Sequence, residues 1–289
     1  MNAPERIGLP DIQSQMDGRN TRIDAVGVKG VRYPVTILTG GGPVPTIATL
    51  SMAVSLPAIT KGTHMSRFID LLEMQSEPLS QSRFRAMVID MIERLDAPGG
   101  TIEMRFPYFV RKTAPVSGVQ SQLDYDVRWR GSVADDGAYS FRMHVIVPAT
   151  SLCPCSKEIS DYGAHNQRSH ITIEAEMAGE MAIEDLIAIA ERSASCEVYG
   201  LLKRPDEKYV TEKAYDNPKF VEDLVRDVAV ALSREPRVSS YVVEAENFES
   251  IHNHSAFARI QRPSLAGKVG SRTGRHAHGF RLSPTEAAE

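Results

Sequence analysis

Apolar residues recur along this chain with two periods, and the changes of period outline its elements. They run at strand density over positions 28–38 and 46–56, where Ile47-Ala-Thr-Leu-Ser-Met-Ala-Val-Ser-Leu56 alternates apolar and small polar side chains. The period then lengthens. Phe68, Ile69, Leu71, Leu72 and Met74 suit one helix, and Phe84, Met87, Val88, Met91, Ile92 and Leu95 suit a second that stops at Ala97-Pro-Gly-Gly100. Strands are expected over 101–110 and 123–129, and the Ala134-Asp-Asp-Gly137 turn leads into another over 139–147. The order then restarts, with alternation over 169–176, helical spacing over 183–202, and a helix over 218–233 with Pro218 in its first turn. A closing strand runs over 238–246 and continues to 260.

Strands, two helices and strands, performed twice, predict an α+β fold of antiparallel sheets with paired helices on one face. Residues 1–20 and 263–289 lack a pattern and are expected to be flexible; 21–135 and 136–262 form two modules, the second carrying most of the chemistry. Each module leaves one sheet face and two edges uncovered. Joining sheets into an oligomeric barrel is one way to cover them, so a homo-oligomer is expected.

The composition, 42% hydrophobic and 24% charged, is that of a globular protein able to bury a sizeable core. A net charge of −4 opposes broad nucleic-acid binding, which needs an excess of lysine and arginine, although a local cationic pocket remains open. No apolar run reaches the roughly 18 residues needed to span a bilayer, and the N-terminal residues lack a basic-then-apolar leader pattern. No membrane or nucleic-acid partner is expected, and the cytoplasm is the expected compartment. Three cysteines are an odd number and make no disulfide framework, so Cys153 and Cys155 read as reduced thiols, and Cys196, within the helical pattern at 191–197, as a small buried residue.

Chemistry concentrates in Leu152-Cys-Pro-Cys-Ser-Lys-Glu-Ile-Ser160 and the next ten residues, which gather two thiols, two imidazoles and two cations. Pro154 fixes its own backbone and biases the preceding residue toward an extended conformation, so Cys153 is expected in a stiff, non-helical segment.

This stretch, with Lys61-Gly-Thr-His-Met-Ser-Arg-Phe68, Tyr162-Gly-Ala-His-Asn-Gln-Arg168 and Glu249-Ser-Ile-His-Asn-His254, resembles the signatures of the type IB GTP cyclohydrolases, bacterial enzymes that open folate biosynthesis. The resemblance spans residues 20–262. It implies a tunnelling fold with two modules per subunit, a homotetramer, and hydrolysis of GTP to 7,8-dihydroneopterin triphosphate with release of formate. It also implies a divalent metal ion (Mn, Fe or Zn), since activating water toward C8 of guanine is work a metal can do. The implied ligands are Cys153, His165, Glu207, His252 and His254, with Cys153 and His165 also catalytic.

In a strand, His252 and His254 would share a face. Cys155 is the weaker thiol, because one intervening proline makes chelation by both cysteines awkward. Glu207 lies in the charged connection Lys203-Arg-Pro-Asp-Glu-Lys208, where Asp206 competes with it. Glu222 resembles the family's guanine anchor, because a carboxylate can accept from both N1–H and the exocyclic amine. Lys61, His64, Arg67, Lys157 and Arg168 are candidates for the triphosphate; Lys203 and Arg204 belong to the same pool of cations. Two rival readings are a metal-free thiol enzyme using Cys153 with His165 as base, and a non-catalytic purine or pterin binder on the same scaffold.

Overall fold

The computed structural model describes residues 11–263. Its first half runs β1 (Ile23–Thr39), β2 (Gly42–Leu56), α1 (Ser66–Glu73), α2 (Gln81–Arg94), β3 (Gly100–Thr113) and β4 (Gln120–Val133). The second half runs β5 (Tyr139–Leu152), α3 (Pro154–Ile159), β6 (Asn166–Met177), α4 (Ile183–Ser193), β7 (Cys196–Glu197), α5 (Arg204–Asp216), α6 (Val221–Arg234), β8 (Val238–Asn247) and β9 (Ala256–Arg262). The strands make one antiparallel sheet in the order β1-β2-β3-β4-β5-β6-β8-β9, with β7 paired to the end of β5 beyond the reach of β4. The expected module boundary at 135 falls in the turn joining β4 to β5, where Ala134 N–H donates to Ala138 O.

Alternation explains why one sheet face is dry. Leu50, Met52 and Val54 of β2, Ile102, Met104 and Phe106 of β3, and Val145, Val147, Ile171 and Ile173 of β5 and β6 are all buried, in one continuous core with the apolar stripes of α1, α2, α4 and α6. Trp129 anchors the first half, meeting Phe84, Phe106 and Phe141 edge-on at 5.7 Å centroid separation in each case. The opposite face is polar, with Arg128 of β4 paired to Glu174 of β6 across β5. Near the start of β1, Gly27 packs so closely on β2 that a Cβ would lie 2.0 Å from Met52 O. Gly30 has φ 71° at a register shift between Val28 and Val31, a bulge conformation that suits glycine.

The structure departs from the pattern in five places. Helix α4 ends at Ser193, and Cys196 is buried in β7, because the far end of β5 offers an unpaired ladder that residues 196–197 complete. The charged connection at 203–208 opens a helix, α5, whose weak amphipathic pattern hid it. Pro218 lies outside α6; the chain first docks through Lys219 N–H to Leu152 O at 3.0 Å, and the helix starts at Val221. The closing strand breaks over 248–255, so His252 and His254 sit in a bend. Finally, residues 11–17 are held against 59–62 by backbone hydrogen bonds, including Asp17 N–H to Ile59 O at 2.8 Å. The rest of the expected flexible segments, 1–10 and 264–289, lies outside the described residues.

Candidate active site

Strands β5, β6 and β8 end side by side, and the segments leaving them carry most of the expected chemistry. The β5–β6 ladder runs to the Leu152–Asn166 pair and closes with Cys153 N–H donating to His165 O at 3.1 Å. Two residues twelve positions apart thus become neighbours. Ser156 reinforces the closure: its hydroxyl donates to Cys153 O and accepts from His165 N–H, both at 3.2 Å. Cys153 has the extended backbone expected of it (φ −72°, ψ 117°) and caps α3, its Sγ accepting from Ser156 N–H at 3.4 Å. Its thiol is half-buried, whereas that of Cys155 is exposed.

Beneath this end, Ser151, Ser169 and Asn247 form a buried chain across β5, β6 and β8. Ser169 Oγ lies 2.8 Å from Ser151 Oγ and 2.7 Å from Asn247 Oδ1. A hydroxyl has one proton, so Ser151 donates to Ser169 and Ser169 donates to Asn247. The next residue after Asn247, Phe248, donates its N–H to Arg168 O at 2.9 Å and brings the 249–254 segment over His165. Glu249 and Ser250 then face the imidazole, Glu249 Oε2 at 4.0 Å and Ser250 Oγ at 3.5 Å from Nδ1. His252 and His254 stack at 5.3 Å, 20° between planes, with both side chains exposed. They remain together without the strand expected to align them.

Helices α5 and α6 dock on the same end. Lys157 reaches the carbonyl of Tyr215 at the end of α5 and lies over its ring at 4.2 Å. Glu222 occupies the exposed first turn of α6, while its neighbour Asp223 accepts from Phe220 N–H at 3.2 Å and so caps the helix. Arg168 is exposed on β6.

Glu207 and Asp206 are separated in role. Asp206 is fully buried and accepts from Val116 N–H, Ser117 N–H and Lys203 N–H, each at 2.8 Å, and from the Ser117 hydroxyl at 2.5 Å. Burial pushes its carboxyl up, but Ser117 and the backbone donors outweigh this and hold it well below the usual carboxylate range. It therefore pins the β3–β4 turn to α5. Glu207 is exposed, eight residues or about 12 Å of helix axis from Tyr215.

Three expected residues lie elsewhere in the chain. Lys61 Nζ donates to Gln15 Oε1 at 3.0 Å, His64 Nε2 stands 3.2 Å from Asp11, and Arg67 donates to Arg94 O at 2.7 Å, all within the first half. Among the described residues, no three His, Cys, Asp or Glu side chains stand together as a metal cage. Gln167, Glu249 and Ser156 were not singled out from the sequence. All three lie inside the signature stretches at 152–160, 162–168 and 249–254, which was the available signal.

An α+β sheet with a thiol, an imidazole and a histidine-bearing bend at one end defines a candidate hydrolytic centre, and the comparisons with known proteins make it specific. Residues 9–258 match the family of type I GTP cyclohydrolase folE2, and the chain belongs to that family. It is 61% identical to GTP cyclohydrolase FolE2 of Paraburkholderia xenovorans over 90% of this chain and 97% of the relative. It is 60% identical to the enzyme of that name from Cupriavidus necator, over 88% of this chain and 95% of the relative. Among solved structures, uricase from Arthrobacter globiformis is similar at TM-score 0.48 and 8% identity, covering 87% of this chain and 96% of that one. That likeness is too distant to carry an argument.

Proposed function

We propose that this chain is a GTP cyclohydrolase that hydrolyses GTP to 7,8-dihydroneopterin triphosphate and formate, the opening step of folate biosynthesis. The observation that carries the reading is the closure of Cys153 on His165 with the 249–254 bend above them, in a chain of the FolE2 family. The reaction needs water added at C8 of guanine, opening of the imidazole ring, and proton transfers at ring nitrogens and ribose.

Within this reading each residue has a task. Glu222 receives the N1–H and amine of guanine on its two carboxylate oxygens. Lys157 and Arg168 lie near the strand ends and meet the triphosphate, and Lys61, His64 and Arg67 belong to a site completed by another subunit of a homotetramer. The tunnelling-fold barrel expected for the assembly would bring such residues together, and the cytoplasm is where the substrate pool lies. Cys153 and His165 act at C8, and His252 and His254 in the exposed bend hold or move protons.

The sulfur, nitrogen and oxygen donors Cys153, His165, Glu207, His252 and His254 fit a divalent Mn, Fe or Zn ion in chemistry. When bound it would supply Lewis acidity toward water and the attacked ring. Glu207 would have to arrive from its exposed place on α5 or from a neighbouring subunit. The test is incubation of the purified, metal-supplemented protein with GTP. Formate and a pterin that fluoresces after oxidation are expected in equal amounts; absence of both would reject the reading.

A further inference from the structure

One side of the His165 imidazole is crowded by oxygen. Its Nδ1 lies 3.0 Å from Gln167 Oε1, 3.5 Å from Ser250 Oγ and 4.0 Å from Glu249 Oε2. None of the larger groups turns freely into water: Gln167 is 7% exposed, and the His165 and Glu249 side chains 16% and 12%. The backbone beneath them is fixed as well, with His165 bonded to Cys153 and Ser156, Gln167 paired to Ser151 across the ladder, and Phe248 tied to Arg168.

A neutral imidazole carries one ring proton, and the hydrogen bond made by one nitrogen decides what the other can do. An amide oxygen and a carboxylate both only accept. Two acceptors on the Nδ1 side therefore draw the proton to Nδ1 and leave the Nε2 lone pair free. Turning the Gln167 amide around would set its NH2 donor against Nδ1 and leave the Glu249 carboxylate, an acceptor, on the same side without a proton to receive. We infer that Gln167 is a positioning residue that selects the Nδ1–H tautomer of His165, so that Nε2 is the atom this histidine presents to substrate or to a divalent cation. The assignment of Nε2 to the reaction rests on the cyclohydrolase reading; the choice of tautomer does not.

The test uses the full chain labelled with 15N-histidine and freed of metal by chelation, at about pH 8, where an ordinary imidazole is neutral. Magic-angle-spinning spectra of the parent, with the His165 signals assigned by their loss in His165→Asn, should show a protonated Nδ1 and a bare Nε2. Gln167→Met keeps the side-chain length and removes the acceptor. It should shift population to the other tautomer and, in the metal-loaded enzyme, lower kcat by about tenfold or more with KM within about threefold. A parent His165 protonated on Nε2 would overturn the inference, even if Gln167→Met failed to fold. So would Gln167→Met with the parent's tautomer and kcat. If the tautomer depends on Gln167 but no form turns over GTP, the positioning role stands and the cyclohydrolase reading falls.

Discussion

Glu197 is the residue whose replacement tests most directly how α5 is held near the site. It lies in β7, accepts from Lys213 Nζ of α5 at 2.5 Å and from the Tyr199 hydroxyl at 2.7 Å. Burial pushes its carboxyl up, but Lys213 and Tyr199 outweigh burial and bring it from 4.5 down to about 2. Two and a half units at about 1.4 kcal/mol each set an upper limit of roughly 3.5 kcal/mol. Water reaches the pair, whose side chains are 37% exposed on Lys213 and 21% on Glu197, so screening reduces the contribution to about 1–2 kcal/mol.

Glu197→Gln keeps the shape and an acceptor for Tyr199 while deleting the charge opposite Lys213. Because the folded carboxyl titrates below the unfolded one, its contribution is fully present above about pH 4.5 and is lost as pH falls toward 2. Urea denaturation at fixed protein concentration should therefore find the variant about 1–2 kcal/mol less stable at pH 7, the gap shrinking to about half at pH 3.5. An equal gap at both pH values, or none at pH 7, would refute the electrostatic account.

Four further outcomes are expected. Cys153→Ala should lower turnover by more than about tenfold, or 1.4 kcal/mol of transition-state stabilisation, while the fold persists, since its backbone N–H bond to His165 survives; near-parental kinetics would remove Cys153 from the reaction. Glu222→Gln should cut kcat/KM for GTP about tenfold or more through mispaired donors, with bound metal unchanged, whereas Asp223→Asn keeps an oxygen for Phe220 N–H and should change little. Treatment with a chelator should abolish turnover without altering oligomeric state, with Mn, Fe or Zn restoring it, and elemental analysis of His165→Ala and Glu207→Ala should find less metal per subunit. Asp206→Asn turns amide protons toward donors and should speed hydrogen exchange at Val116, Ser117 and Lys203, which mass spectrometry of the corresponding peptides would read.

The fold was legible wherever one face of an element is buried, because burial imposes a period. Strand β2 alternates from Ala48 to Val54, and α2 buries Phe84, Met87, Val88 and Met91 at helical spacing. Helix α5 buries only Asp206 and Ala214, so its pattern carried no stripe to find. The end of α4 is hidden for a different reason: Ala194 to Cys196 remain apolar or small and buried past Ser193, but Ser195 accepts from Leu152 N–H and Cys196 pairs with β5 instead of continuing the helix. At the site, quoted motifs pointed to Cys153, His165 and the 249–254 segment, yet the agents that hold them are a buried serine–asparagine chain and Gln167. Such residues are chemically ordinary, and only register across three strands brings them together.

The closure of Cys153 on His165 also divides the connecting loop into two parts with different freedoms. The base belongs to the ladder, while the tip reaches Tyr162, fully exposed, and Gly163 at φ 122°. Lengthening a surface loop costs little, about 0.6 kcal/mol per doubling, and none of that entropy is charged to residues already joined below it. Residues inserted at the tip would therefore leave the separation of the thiol and the imidazole unchanged, because the Cys153–His165 bond closes the loop below them.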